Sequence, residues 1–212
     1  MSETRSVWQD TRTYFPLFLD LILSRDVEKV CVVGASDGKF VLPLARRGLR
    51  VVAVERDPLA LDGGPVILPN QGAATMPGLR KRLAEEGLSE RVQIIETDLL
   101  DLTVELPHVG AVWTSCSWHY SANHARPFAD FITAMTGLCP GAGAVLGAEY
   151  MLPVQPHQLA IEHYPEQGEV RRFFRDWTID WETYTPPFIE APHVEQLSEH
   201  VHRIGLIIAT RQ

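Results

Sequence analysis

The sequence predicts an α/β fold, a three-layer sandwich around a mostly parallel sheet, on three observations. Five short apolar runs, KVCVV from Lys29, RVVAV from Arg50, VQIIE from Val92, GAVWT from Gly110 and AVLGAEY from Ala144, alternate with stretches that read as helices. The first run is continuously apolar from Val30 to Val33, as a strand covered on both faces must be. It leads into a glycine-bracketed turn, GASDG, and the second run closes on an acid, Glu55, 21 positions after Gly34.

Length and composition bound what the fold can serve. A chain of 212 residues, 45% hydrophobic and 22% charged, buries one sizeable core and reads as one α/β domain. Its formal charge of −8, with lysine only at positions 29, 39 and 81, argues against a nucleic-acid partner, which calls for clustered cations. The three cysteines, Cys31, Cys116 and Cys139, form neither a disulfide framework nor a CxxC knuckle and suit a reducing compartment. No apolar run is long enough for a membrane span, so a soluble, cytoplasmic protein is expected, as monomer or homodimer.

In chain order, Val7 to Ser24 mixes aromatics and leucines and predicts one or two helices broken at Pro16. Residues 1–27 are expected to form a helical lid segment and residues 28–212 the binding domain. A helix follows the GASDG turn from Lys39 to Arg47. Asp57 to Met76 holds three glycines and three prolines and is expected as a long loop, either mobile or building part of a pocket. A proline-started helix covers Pro77 to Gly87, another Ala125 to Gly137, and a short one Glu166 to Asp176. Trp177 to Tyr184 alternates as a half-exposed strand, and His202 to Thr210 is the last strand.

The turn between the first strand and its helix carries the first chemical signal. Gly34 and Gly38 allow the backbone to approach a ligand closely. An acid at the end of the second strand accepts hydrogen bonds from both hydroxyls of a ribose. Strand, glycine turn, helix, strand and acid describe an adenosine-binding half-sheet.

In these residues the chain resembles the class I S-adenosylmethionine-dependent methyltransferases, whose Rossmann-like fold carries a hydrophobic strand ending near an acid, a Gly-x-Gly-x-Gly turn, and an acid closing the next strand. VVGASDGKF keeps the outer glycines as Gly34 and Gly38, while Ser36 replaces the middle glycine and Val32 the strand acid, leaving Asp37 as a candidate acidic neighbour. Asp98, just past the third strand, matches the acid that meets the adenine amino group, with Leu99 beside it; capping of the next turn is its structural alternative.

The resemblance covers the chain from about Val30 onward. It implies a seven-stranded sheet with an antiparallel last strand and S-adenosylmethionine as cofactor. It assigns the cofactor contacts to Gly34, Ala35, Ser36, Asp37, Gly38, Glu55, Arg56, Asp98, Leu99 and Ser115.

Acceptor chemistry is expected in the loop SCSWHYSANH after the fourth strand. His119 is the candidate proton acceptor, with Tyr120 beside it. Trp118, His124, Tyr150 and the lid's Tyr14 are the candidate substrate contacts, with core packing as the alternative for each aromatic. His193, His200 and His202 follow x6 and x1 spacings that match no metal motif, so a solvated or capping role and no metal are expected. The absence of an Asn/Asp-Pro-Pro-Tyr signature favours a small-molecule or peptide acceptor.

Two rivals are weighed. A short-chain dehydrogenase needs Tyr-x-x-x-Lys, and the residues four places after the tyrosines are Phe18, His124, Val154, Gly168 and Phe188. A catalytically silent methyltransferase-like binder is kept open by Ser36 and Val32.

Overall fold

In the computed structural model, which describes residues 6–8, 12–68, 71–103 and 106–212, the first regular element is helix α1 (Phe15–Ser24). Pro16 does not break it: it sits in the first turn, where the missing N–H has no intrahelical partner to lose. Then follow β1 (Lys29–Val33), α2 (Val41–Arg46) and β2 (Arg50–Glu55). The next segment corrects the expected loop, for it is helix α3 (Pro58–Asp62) and an antiparallel hairpin, β3 (Gly64–Leu68) with β4 (Gly72–Met76). The Asp57 side chain caps α3 by accepting from Leu59 N at 2.9 Å. Positions 69 and 70 of the expected loop, and 1–5 and 9–11 of the expected lid, lie outside the described residues.

Helix α4 (Gly78–Glu85), β5 (Val92–Glu96), β6 (Ala111–Ser115), α5 (Phe128–Leu138) and β7 (Val145–Met151) fall close to the predicted segments. The helix expected over Glu166 to Asp176 is only a 3-10 turn, Glu169–Phe173, because Gly168 at φ 83° stops a helix from starting earlier. Strand β8 (Trp177–Tyr184) precedes a small hairpin, β9 (Phe188–Glu190) with β10 (His200–His202), and β11 (Ile204–Arg211) is the last element. His202 therefore belongs to the hairpin and not to the last strand.

The main sheet has seven strands in the order β5-β2-β1-β6-β7-β11-β8, and β11 runs against both its neighbours while the rest are parallel. Each face carries its own core. On one, Phe15, Phe18 and Phe40 surround the fully buried Trp113 with ring centroids at 5.2, 4.9 and 5.6 Å. On the other, α5 covers a cluster in which Trp118 stacks on Tyr150 at 5.5 Å and meets Phe128 at 5.0 Å. Gly205 on β11 leaves the room Tyr150 occupies, since a Cβ there would lie 2.6 Å from its ring.

Candidate functional site

A cavity of about 500 Å³ opens over the carboxyl ends of β1, β2, β5 and β6. Strand order reverses between β1 and β6, and the parting of the two connections creates the crevice in which open α/β sheets bind ligands. Thr114 on β6 ties the two sides together: its hydroxyl donates to Val33 O at 2.9 Å and lies 2.6 Å from Ser117 Oγ.

The glycine turn approaches this crevice edge-on. A Cβ on Gly34 would sit 2.9 Å from Ser117 Cβ, so only glycine lets the turn pass so near the β6 loop. Ser36, where the motif's middle glycine is missing, adopts the left-handed conformation anyway, φ 49°, and its N–H donates to Glu55 Oε2 at 2.7 Å. Ser36 and Gly34 line the cavity. Ala35, Asp37 and Gly38, also expected as cofactor contacts, do not line it. Ala35 is fully buried, and a Cβ on Gly38 would lie 2.7 Å from Leu79 Cδ1. The buried Asp37 carboxylate accepts from Ser6 Oγ at 2.7 Å and Val7 N at 3.0 Å and pairs with Arg82 at 3.3 Å. It tethers the segment that brings Trp8 to the cavity wall.

Glu55 and Asp98 face the same cavity, as do Arg56 and Leu99. Besides Ser36 N, the Glu55 carboxylate accepts from Arg56 N at 2.8 Å and Asp57 N at 2.9 Å. A carboxylate offers about four lone-pair sites, so acceptor capacity toward the cavity remains. Asp98 caps the next turn, as its structural alternative required, by accepting from Leu100 N at 2.9 Å, and its other oxygen pairs with Arg56 at 2.8 Å.

The loop after β6 divides. Ser115, Cys116, Ser117, Tyr120 and Asn123 line the cavity. Cys116 is held in the left-handed conformation at φ 50°, and burial pushes its thiol well above the usual range, so it stays protonated. Trp118, buried in the core, is corrected from substrate contact to packing, and so is the equally buried Tyr150. His119 lies behind the wall, its ring stacked on Tyr120 at 4.7 Å and edge-on to Tyr164 at 5.5 Å. Burial, with the nearby His202 and His124, lowers its pKa to about 4. The exposed His124 turns its Nε2 to the His119 carbonyl at 2.9 Å, away from the cavity. Tyr14 packs against the core of its own face and offers its backbone N–H to Glu149.

Several wall residues carry no sequence signal. The Tyr120 hydroxyl donates to Glu195 Oε2 at 2.6 Å, so the β6 loop and the segment between β9 and β10 meet over the cavity. Burial raises the Glu195 pKa, and burial together with Glu195 keeps the Tyr120 phenol protonated. Beneath the wall, the fully buried Glu149 accepts from Ser115 Oγ at 2.6 Å, and burial raises its pKa against the pull of that bond and of Lys39. Lys39, on the wall, has its own pKa lowered by burial. Leu59, Ala60 and Met76 show that the inserted segment builds part of the pocket. The histidines expected in a solvated or capping role converge with Glu190 beside the cavity.

The solved structures decide what this architecture is. TehB from Haemophilus influenzae superposes with a TM-score of 0.69 at 11% identity over 97% of this chain, which spans 64% of that protein's length. The fold is that of the class I S-adenosylmethionine-dependent methyltransferases. Magnesium protoporphyrin IX methyltransferase from Synechocystis, solved with bound S-adenosylmethionine, matches this methyltransferase fold with a TM-score of 0.61 at 14% identity, over 98% of this chain and 89% of its own. The [4+2]-cyclase SpnF matches with a TM-score of 0.60 at 13% identity, over 99% and 84%. The sequence itself matches no protein-family model and no curated protein. Among the described residues no helix is long and apolar enough to cross a membrane.

Proposed function

We propose that the chain binds S-adenosylmethionine and transfers its methyl group to a small-molecule or peptide acceptor, as a soluble cytoplasmic enzyme. The observation that carries this is the presence of Glu55 and Asp98, acids at the ends of adjacent strands, on one cavity at the switch point of the sheet. The residues fit the cofactor: Glu55 keeps an acceptor site for a ribose hydroxyl, Asp98 an acceptor oxygen for an adenine amino group, and Gly34 a bare turn between them. A cavity of about 500 Å³ also falls within the span of ligand sites, roughly 300–1,000 Å³.

S-adenosylmethionine supplies an electrophilic methyl group on a sulfonium. The protein's work is alignment, exclusion of water and removal of a proton from the acceptor. His119 is too far behind the wall, and with a pKa of about 4 too weak a base, to remain the first candidate. The Tyr120 and Glu195 pair takes that place: the phenol orients the acceptor's reacting heteroatom, and the Glu195 carboxylate, bonded to the phenol on the cavity wall, accepts the proton. His119 then positions Tyr120 by stacking on it.

A cofactor-binding protein without turnover is the second reading, favoured by one observation. In the structure Tyr120 and Glu195 satisfy each other. Calorimetric titration with S-adenosylmethionine and its demethylated product separates the possibilities. Heat with both, plus formation of the demethylated product in an acceptor screen, supports the enzyme; heat without turnover supports the binder; no heat with either removes both.

A further inference from the structure

We propose that Glu190, His193, His200 and His202 form a binding site for one divalent transition-metal ion of the zinc class, beside the cavity. The first argument is the orientation of the small hairpin. In its antiparallel register His200 faces Glu190, Val201 faces Ile189 and His202 faces Phe188, so Glu190, His200 and His202 share one face. That face, which also carries Phe188, is turned inward, and Ile189 and Val201 are turned outward: Ile189 is 69% and Val201 40% exposed, whereas the Glu190, His200 and His202 side chains are 11%, 13% and 19% exposed. Three ionisable side chains are thus held on the buried side while two β-branched apolar ones face water.

The second argument is geometric. His193 reaches the same point from the connecting segment, held by reciprocal backbone bonds with Gln196 at 2.9 and 3.1 Å. One oxygen, Glu190 Oε2, lies 2.9 Å from His202 Nε2, 3.6 Å from His200 Nε2 and 4.0 Å from His193 Nε2. All four candidate ligand atoms fall within 4.8 Å of one another. Zinc bonds of about 2.0–2.2 Å in a tetrahedron set ligand atoms roughly 3.3–3.6 Å apart, so small side-chain rotations close the shell.

The third is tautomeric. His200 Nδ1 lies 2.8 Å from Ser198 O, and since a carbonyl only accepts, that nitrogen carries the proton. Its Nε2 is left as a lone pair facing the cluster, buried and with no hydrogen-bond partner. A backbone carbonyl fixing the remote nitrogen is the support that metal-bound histidines receive. Three imidazoles and one carboxylate suit zinc, cobalt, nickel or ferrous iron, whereas calcium and magnesium call for oxygen shells.

The ion would border the cavity. His193 packs edge-on against Trp8 at 5.0 Å, and Trp8, Val194 and Glu195 line the space. By fixing His193 it would fix the segment that carries Glu195. The site rests on these residues alone and not on methyl transfer, so metal uptake is measured without cofactor.

The test uses the untagged full chain stripped with chelator, titrated with Zn2+ and with Co2+ and analysed for metal after gel filtration. One equivalent per chain is expected, with a visible cobalt spectrum of nitrogen and oxygen ligation and a rise in melting temperature on zinc addition. Both are lost in His200→Ala, and in the isosteric Glu190→Gln, which keeps the hairpin's shape should the alanine variant misfold; the exposed His157→Ala retains them. Failure of the wild-type chain to take up a stoichiometric ion, or undiminished uptake in Glu190→Gln, would overturn the site. Retained cofactor binding without metal uptake would overturn the metal site and leave the proposed function standing.

Discussion

Replacing Glu55 probes the cofactor end of the site with a magnitude that follows from its contacts. In Glu55→Ala the carboxylate is lost from Ser36 N, Arg56 N and Asp57 N, at 2.7, 2.8 and 2.9 Å. Arg56 and Asp57 are exposed and their N–H groups pass to water, while the half-buried Ser36 N–H is left without its partner. One such loss costs about 1–3 kcal/mol. In a domain of this size that is a fall in melting temperature of roughly 2–12 °C. The lost bond to the ribose, made to a charged acceptor, is worth about 1.5–3 kcal/mol, which weakens cofactor binding about 10- to 150-fold.

Glu55→Gln separates the two effects. The amide fills the same space, but one acceptor becomes a donor, so either a backbone N–H or a ribose hydroxyl is opposed. Titration calorimetry with the demethylated cofactor, run well below the melting temperature, should show the affinity loss in both variants and the larger stability loss in Glu55→Ala. Asp98→Asn, acting on the other end of the nucleoside, should weaken the affinity as well, and because Arg56 bonds both acids the two losses should not simply add in the double variant. Wild-type affinity in a folded Glu55→Ala chain would refute the ribose assignment.

Other consequences are equally direct. Tyr120→Phe, which removes the hydroxyl bound to Glu195 and keeps the ring on His119, should lower turnover at least about tenfold with cofactor affinity unchanged; steady-state kinetics with calorimetry checks this. Trp118→Ala should cost about 3–5 kcal/mol in urea unfolding, the mark of a core residue, and loss of acceptor binding at full stability would contradict its placement. Burial raises the Glu149 pKa above 4.5, so the folded state holds its proton more tightly than the unfolded chain. The contribution is greatest below pH 4.5 and is lost as pH rises through the folded value, so wild-type stability relative to Glu149→Gln should fall with rising pH; a rise would contradict the burial. His119 should titrate near 4 by NMR, leaving no ionisation of its ring between pH 6 and 8, about two units above that midpoint.

What the sequence discloses and what it hides divide along physical lines. Strands β1, β2, β6 and β7 are covered on both faces, so they appear as apolar runs, and Glu55 and Asp98 are legible because strand ends place them whatever the loops do. The inserted β3 and β4 hairpin is hidden because glycine and proline serve its turns and edges as readily as they serve a loop. Trp118 and His119 adjoin in sequence, yet one ring enters the core and the other the back of the wall, a choice made by Tyr150, Phe128 and Tyr164 from distant elements. Glu195 and the histidine cluster arise from a hairpin whose polar face is turned inward. The alternation of His200, Val201 and His202 carries the clue, but nothing local says which side faces water. Ser36 departs from the glycine motif without changing the turn, since its backbone takes the left-handed conformation regardless.

The most direct measurement is a crystal structure of the chain with the demethylated cofactor. The ribose hydroxyls are expected within hydrogen-bond distance of Glu55 and the adenine amino group at Asp98. A nucleoside bound elsewhere, or carboxylates left facing solvent beside it, would contradict the proposed site.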